Sequence, residues 1–154
     1  MINKYIKSSQ KLLPILALFL IAACGGKEPI AIEDVEQQAF DDLRAKIESV
    51  IPDPERQSII IGLVDEVHVD YSELREAVVI RRAELRKLNA DYDATREQFA
   101  AYIEKYDARI KLSREKVSAS HQKLIRATTV EEWDALKKAD TKTMKKLISS
   151  LQAI

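Results

Sequence analysis

The chain has 154 residues, enough for one domain, with 25 basic and 25 acidic side chains and a formal net charge of zero. Lys4, Lys7 and Lys11 lie in the first 23 residues, where no acid stands, so the rest of the chain holds 22 of the 25 basic residues against all 25 acids, a formal net of −3. A mildly acidic chain lacks the concentrated basic surface that nucleic-acid binding needs, and 3 glycines and 4 prolines leave little turn chemistry for a strand-rich fold.

The N-terminal stretch has three parts. Met1 to Lys11 is polar and carries the three lysines. Leu12 to Ala23 is an apolar run of about a dozen residues, the length of a secretory h-region and short of the ~20 that span a bilayer. It closes on Ile21-Ala22-Ala23-Cys24-Gly25, small residues ahead of a cysteine, followed by charge at Lys27 and Glu28. This pattern resembles the lipobox of bacterial lipoproteins. The resemblance implies that residues 1–23 are a signal peptide cleaved between Ala23 and Cys24. It further implies that the Cys24 thiol takes a diacylglycerol and that the new amino group is acylated, with palmitate among the expected chains. Several acyl chains on one residue make a stable anchor, so the implied location is the periplasmic side of a membrane. In lipoprotein sorting as known for enterobacteria, Asp after the cysteine favours retention in the inner membrane; Gly25 therefore implies the outer membrane. Cys24 is the only cysteine, so no disulfide forms within the chain despite the oxidising compartment.

Residues 24–30 read as the lipidated cysteine and a flexible tether, with Gly25-Gly26 loose and Pro29 opposing helix before it. Residues 31–154 read as one helical domain. Ile32, Val35, Ala39, Leu43, Ile47 and Val50 recur at spacings of three and four, one face of a first helix. Pro52-Asp53-Pro54 stops it, with Asp53 placed to cap the next helix and Pro54 in its first turn, where a missing N–H costs nothing.

Beyond Pro54 there is no proline, and beyond Gly62 no glycine. Ile60, Val64, Val67, Tyr71, Leu74, Val78, Arg81, Leu85, Leu88, Tyr92, Thr95, Phe99, Tyr102 and Tyr106 alternate spacings of four and three, a coiled-coil seam. Near Phe99 the phase shifts as at a stutter, and Ile103, Tyr106, Ile110, Ser113, Val117, Ser120 and Leu124 carry it on. The heptad passes through Asn89 to Asp93 without losing phase, which favours one helix from Pro54 to Arg126, roughly 70 residues or about 105 Å. The alternative is a helical hairpin broken at Asn89-Ala90-Asp91-Tyr92-Asp93, where Asn and Asp compete for backbone hydrogen bonds. Val67 to Asp70 is a second weak point, with Asp70 and Glu73 spaced as a capping box.

Thr129-Val130-Glu131-Glu132 opens the last helix as a capping box. Trp133, Leu136, Met144, Leu147, Leu151 and Ile154 give it an apolar face, interrupted by Asp140, and the short turn at Ala127-Thr128 folds it back antiparallel. The expected fold is therefore all-α: a long coiled-coil-like central helix, or helical hairpin, with shorter antiparallel flanking helices. Thr129-Val130-Glu131-Glu132 and Pro54-Glu55-Arg56-Gln57 stand where periplasmic stress proteins of the Spy and CpxP type, and related metal-resistance sensors, carry Leu-Thr-x-x-Gln motifs. The mature part resembles that group over about residues 50–145, with Glu for Gln in one copy, no Leu-Thr in the other, and an anchor those soluble proteins lack. The resemblance implies a chaperone or metal-responsive sensor.

Catalytic chemistry finds little footing. The two histidines, His68 and His121, are far apart in sequence; Asp65 and His68 share a face with Asp70 near, half a metal site at most. Ser118, Ser120 and His121 lack an acidic partner and an oxyanion loop in sequence, and no glycine-rich phosphate loop exists. We expect no enzyme, no cofactor and no metal. Charge is more informative. Six acids (Glu33, Asp34, Glu36, Asp41, Asp42, Glu48) crowd the first helix, while Lys137, Lys138, Lys142, Lys145 and Lys146 cluster near the C-terminus, a solvated face or a surface for an anionic partner. The function expected is a membrane-anchored helical spacer or interaction module, held through lipid on Cys24 and meeting a helical protein or a second copy of itself. A continuous central helix would leave Leu74 to Tyr92 without an intrachain partner, which is the ground for expecting self-association.

Overall fold

The computed structural model describes residues 31–154; the expected signal peptide over residues 1–23, Cys24 and the expected tether over residues 24–30 lie outside them. Four helices follow in order: α1 Ile32–Val50, α2 Pro54–Ala90, α3 Arg96–Ala127 and α4 Val130–Ala153, with no strand among the described residues. The all-α expectation holds, with long helices of 37 and 32 residues at the centre. Of the two alternatives for that centre, the hairpin is the one realised, and the continuous helix is corrected. α2 ends at Ala90, where the Asp91 side chain takes the Asp93 N–H (3.0 Å) and the Asp91 carbonyl accepts from Ala94 (3.2 Å). Thr95 then opens α3 as a capping box: its hydroxyl accepts from Gln98 N–H, and the Gln98 side chain accepts from Thr95 N–H (2.6 Å). The turn needs no glycine, since no residue in it takes a positive φ and the Asp91, Thr95 and Gln98 side chains bond the backbone N–H groups that the break exposes. An unbroken heptad fits a hairpin equally well, because two arms of one seam face each other without the translational cost of recruiting a second chain.

The other boundaries follow the sequence. Asp53 caps α2 by accepting from Glu55 N–H (2.9 Å) and Arg56 N–H (3.1 Å), with Pro54 in the first turn. Thr129 and Glu132 form the reciprocal box at α4. Asp70 caps nothing; α2 runs through it, and Glu73 reaches across to Lys116 instead (2.7 Å).

Cross-helix partners give the topology. Arg44 on α1 meets Asp65 and Glu33 meets Arg75, so α1 runs antiparallel to α2. Lys123 meets Glu66 and Arg81 meets Asp107, so α3 does too. α4 runs parallel to α2, since Arg56 bonds Glu132 and Tyr71 bonds Leu147. The result is an up-down-up-down bundle. Its core joins Phe40, Leu43, Ile47 and Ile51 to Ile60, Val64, Val67 and Tyr71, closed by Leu124, Leu136 and Leu147. Small residues are buried between helices: Ala39 meets Thr143, whose hydroxyl donates to the Ala39 carbonyl (3.1 Å), and Ala77 is fully buried in a cluster with Leu74 and Ile110.

The four-helix portion is shorter than the hairpin. Glu33 sits level with Arg75, and Leu151 packs against Leu74 and Ala77. Past that level, among the described residues, only α2 and α3 continue, for about 13 residues or ~20 Å. This arm is held by Tyr102 and Tyr106, whose rings lie 4.9 Å apart, by the Tyr102 hydroxyl on the Arg81 carbonyl (2.7 Å), and by half-buried Val78, Leu85 and Leu88. Tyr92, read in sequence as a seam residue, is instead fully exposed at the turn, because the seam ends where the chain reverses.

Candidate functional site

Three places concentrate polar or uncovered chemistry. The first is a knot between α1 and α2. Glu36 is 2% exposed, a burial its acidic neighbourhood in sequence gives no hint of. It accepts from the Ser72 hydroxyl, from Arg75 Nε (2.7 Å) and from His68 Nε2 (3.1 Å). Arg44 Nη2 approaches His68 Nδ1 at 3.2 Å; a guanidinium can only donate, so Nδ1 accepts and the ring proton sits on Nε2, aimed at Glu36. Phe40 stacks on the imidazole at 4.2 Å. The metal-like trio of Asp65, His68 and Asp70 does not assemble: Asp65 is taken by Arg44 (2.7 Å) and His68 by Arg44 and Glu36. Among the described residues no group of three or more His, Cys, Asp or Glu is placed to hold a metal ion.

A second pair joins α3 to α4. His121 Nε2 lies 2.9 Å from Asp140, with Trp133 edge-on to the ring. Asp140, which interrupts the apolar face in sequence, is 5% exposed and finds its reason here. His121 thus has the acid that local sequence did not show, yet Ser120 bonds the Lys116 and Val117 carbonyls of its own helix (both 3.2 Å). Nearby, Arg56 grips Glu132 through two bonds of 2.6 Å and also donates to the Ala127 carbonyl (2.8 Å), tying the α3–α4 turn to the start of α2. The Arg56 guanidinium, aided by the Thr129 N–H, pulls the Glu132 carboxyl down to about 2.

The third place is the surface. The five sequence-predicted lysines separate into two kinds. Lys137 pairs with Asp134 (2.6 Å) and Lys146 with Asp42 of α1 (3.0 Å). Lys138, Lys142 and Lys145 are exposed, opposite the buried face of α4, and make no ion pair among the described residues. Lys142, Lys146 and Lys46 rim a shallow cleft over Asp42, Ala139 and Thr143. The Gln38 amide first, then Lys146, hold the Asp42 carboxyl below its ordinary value. Three of the six acids of the first helix meet bases from other helices: Glu33 and Glu36 meet Arg75, and Asp42 meets Lys146.

Near the tip, a groove between α2 and α3 is floored by Leu88, Ala101, Tyr102 and Tyr106 and edged by Glu84 and Lys105. Sequence reading placed Leu88, Tyr102 and Tyr106 in the seam but gave no groove, because a continuous helix has no inner edge at that point. Compared with protein-family models, with curated proteins and with solved structures, the chain finds no match.

Proposed function

We propose that this chain is a membrane-anchored helical lipoprotein of the periplasm, held by lipid on Cys24, that acts as a spacer and interaction module. The lipobox-like run ending at Cys24 supports the anchor and, with Gly25, an outer-membrane address. No helix among the described residues is long and apolar enough to cross a membrane. The observation that carries the module reading is the two-helix arm projecting past α1 and α4, with the Leu88, Ala101, Tyr102 and Tyr106 groove left uncovered by the described residues. A groove between two helices suits a third helix laid along it, so a helical protein partner fits best. The exposed Lys138, Lys142 and Lys145 offer an anionic partner a separate face.

The stress-chaperone alternative needs a continuous apolar surface. The large exposed apolar side chains are spread over three helices (Ile59, Val69 and Val79; Ile103 and Leu112; Val130 and Ile148), which favours the module. Fractionation is the test. Wild type should sediment with membranes, and Cys24→Ser should remain as an uncleaved or mislocalised precursor, since a serine hydroxyl is not the nucleophile that lipidation needs. Equal membrane behaviour of the two would refute the anchor.

A further inference from the structure

We propose that the basic face of α4, formed by Lys138, Lys142 and Lys145 and flanked by Lys146 and by Lys46 of α1, docks on an anionic phospholipid bilayer. This rests on reading that face as one for an anionic partner and names the partner; it does not depend on lipid at Cys24. Residues 138, 142 and 145 are four and three apart, so they stand in one row along α4, away from its buried Leu136, Asp140, Thr143 and Leu147. The row is ~10 Å long at 1.5 Å per residue. α1 lies beside it: the Thr143 hydroxyl on the Ala39 carbonyl and Lys146 on Asp42 join the two helices, and Lys46 meets Lys142 and Lys146 at the rim of the cleft between them. Neighbours in the row are ~6 Å apart at Cβ, less than the ~8 Å Debye length of physiological salt, so their fields add.

The face carries one sign of charge. Beyond Asp134 the only acid in α4 is Asp140, which is buried and bonded to His121. Asp42, the one acid lining the cleft, is already met by Gln38 (2.8 Å) and Lys146 (3.0 Å). Residues 31–154 hold 21 bases and 24 acids, a formal net of −3; the five lysines with Asp42 make +4, which leaves −7 on the rest. An anionic surface attracts this face and repels the remainder of the body, so the charge pattern itself selects the side that docks. Side-chain chemistry selects a plane of charge over a shaped anion. α4 has no arginine, the residue whose rigid fork recognises single carboxylates and phosphates; Arg44, Arg56, Arg75 and Arg81 instead make ion pairs between helices. Lysine is a point charge on a flexible stem. The cleft offers Ala45, Ala139 and Thr143 between its charges, with no aromatic ring or large apolar side chain of the kind that anchors a protein partner. Loose point charges without a pocket suit phosphate headgroups that diffuse to meet them. Each lysine near an anionic bilayer strengthens binding about fivefold, and a net of four charges does so several-hundred-fold.

The test mixes the full-length protein with vesicles of phosphatidylcholine, or of phosphatidylcholine and phosphatidylglycerol in equal parts, and follows acetylation of each lysine by mass spectrometry. Lys138, Lys142 and Lys145 should react several-fold more slowly with the mixed vesicles, while Lys105 and Lys111, exposed on α3, react alike with both. Salt at about 1 M, where the Debye length falls to ~3 Å, should erase the difference. Lys142→Glu, a change at an exposed position, should remove most of the protection at Lys138 and Lys145 and leave Tm unchanged. Equal acetylation with both vesicles overturns the docking, as does slowing that extends equally to Lys105 and Lys111. Protection by soluble polyglutamate but not by vesicles overturns it in favour of an acidic protein. The anchor is read separately by flotation. Protein that floats with phosphatidylcholine and shows no protection keeps the anchor and loses the docking. Protein that carries no lipid and is protected by the mixed vesicles keeps the docking and loses the anchor.

Discussion

Buried charge gives this small bundle its register. Glu36 is buried with three donors converging on it, two of them from residues 36 and 39 positions away. Replacing one partner of a buried pair leaves the other uncompensated, a larger loss than the pair's own net worth. Glu36→Gln should therefore destabilise the domain by about 3 kcal/mol, the low end of the range because Glu33 still holds Arg75. Urea unfolding measures it, and a loss near zero would show that the knot is solvated. Tyr71→Phe, which removes the hydroxyl bonded to the Leu147 carbonyl and Ser150, should cost only about 1 kcal/mol by the same assay. Glu132 carries the acid sensitivity. Its folded pKa lies below its ordinary 4.5, at about 2, so its contribution is complete above 4.5 and is lost as pH falls towards 2. The Tm advantage of wild type over Glu132→Gln should be full at about pH 6 and shrink steadily below about pH 4.5. An advantage that persists undiminished at the acid end would contradict the pairing with Arg56.

At the scale of elements, most of the framework could be read from periodicity. Ile60, Val64, Val67, Tyr71 and Leu74 on α2, and Tyr102, Tyr106, Ile110, Ser113, Ser120 and Leu124 on α3, are all buried as their spacing demands. Asp53 and Thr129 cap the helices they were placed to cap. Two things escaped. Phe40 and Glu36 are buried on a second stripe of α1 because His68, Ser72 and Arg75 receive them, and contacts that distant leave no trace in local spacing. The break at Asp91 escaped because the seam passes through it in phase, and because the turn is built from Asp91 and the Thr95–Gln98 box, with no glycine or proline to mark it. The turn is thus the one place where local side chains decide between two global structures. Asp91→Ala with Thr95→Ala removes both devices, at about 1 kcal/mol each, and leaves the heptad intact. Sedimentation equilibrium should show the double variant shifting towards a dimer of straightened helices. An unchanged monomer of unchanged stability would mean that core packing alone dictates the hairpin.

For the whole molecule, the hairpin changes what the apolar seam implies. Leu74, Val78, Leu85 and Leu88, which a continuous helix would have offered to a second copy, are covered in whole or in part by α3. Residues 25–154 should therefore sediment as a compact monomer at tens of micromolar, and Leu85→Asp should weaken the arm without dissociating anything. A stable dimer of the unaltered domain would instead place the partner surface between copies. The proposed function, unlike the fold, hangs on residues ahead of the bundle: the proposal of a spacer with a projecting arm and a lysine-bearing face requires that something fix one end. Intact-mass spectrometry of the full-length protein extracted from membranes tests this most directly. The expected species begins at Cys24 and carries the added mass of a diacylglyceryl group and one further acyl chain. A chain that retains Met1, or one that begins elsewhere without lipid, would contradict it.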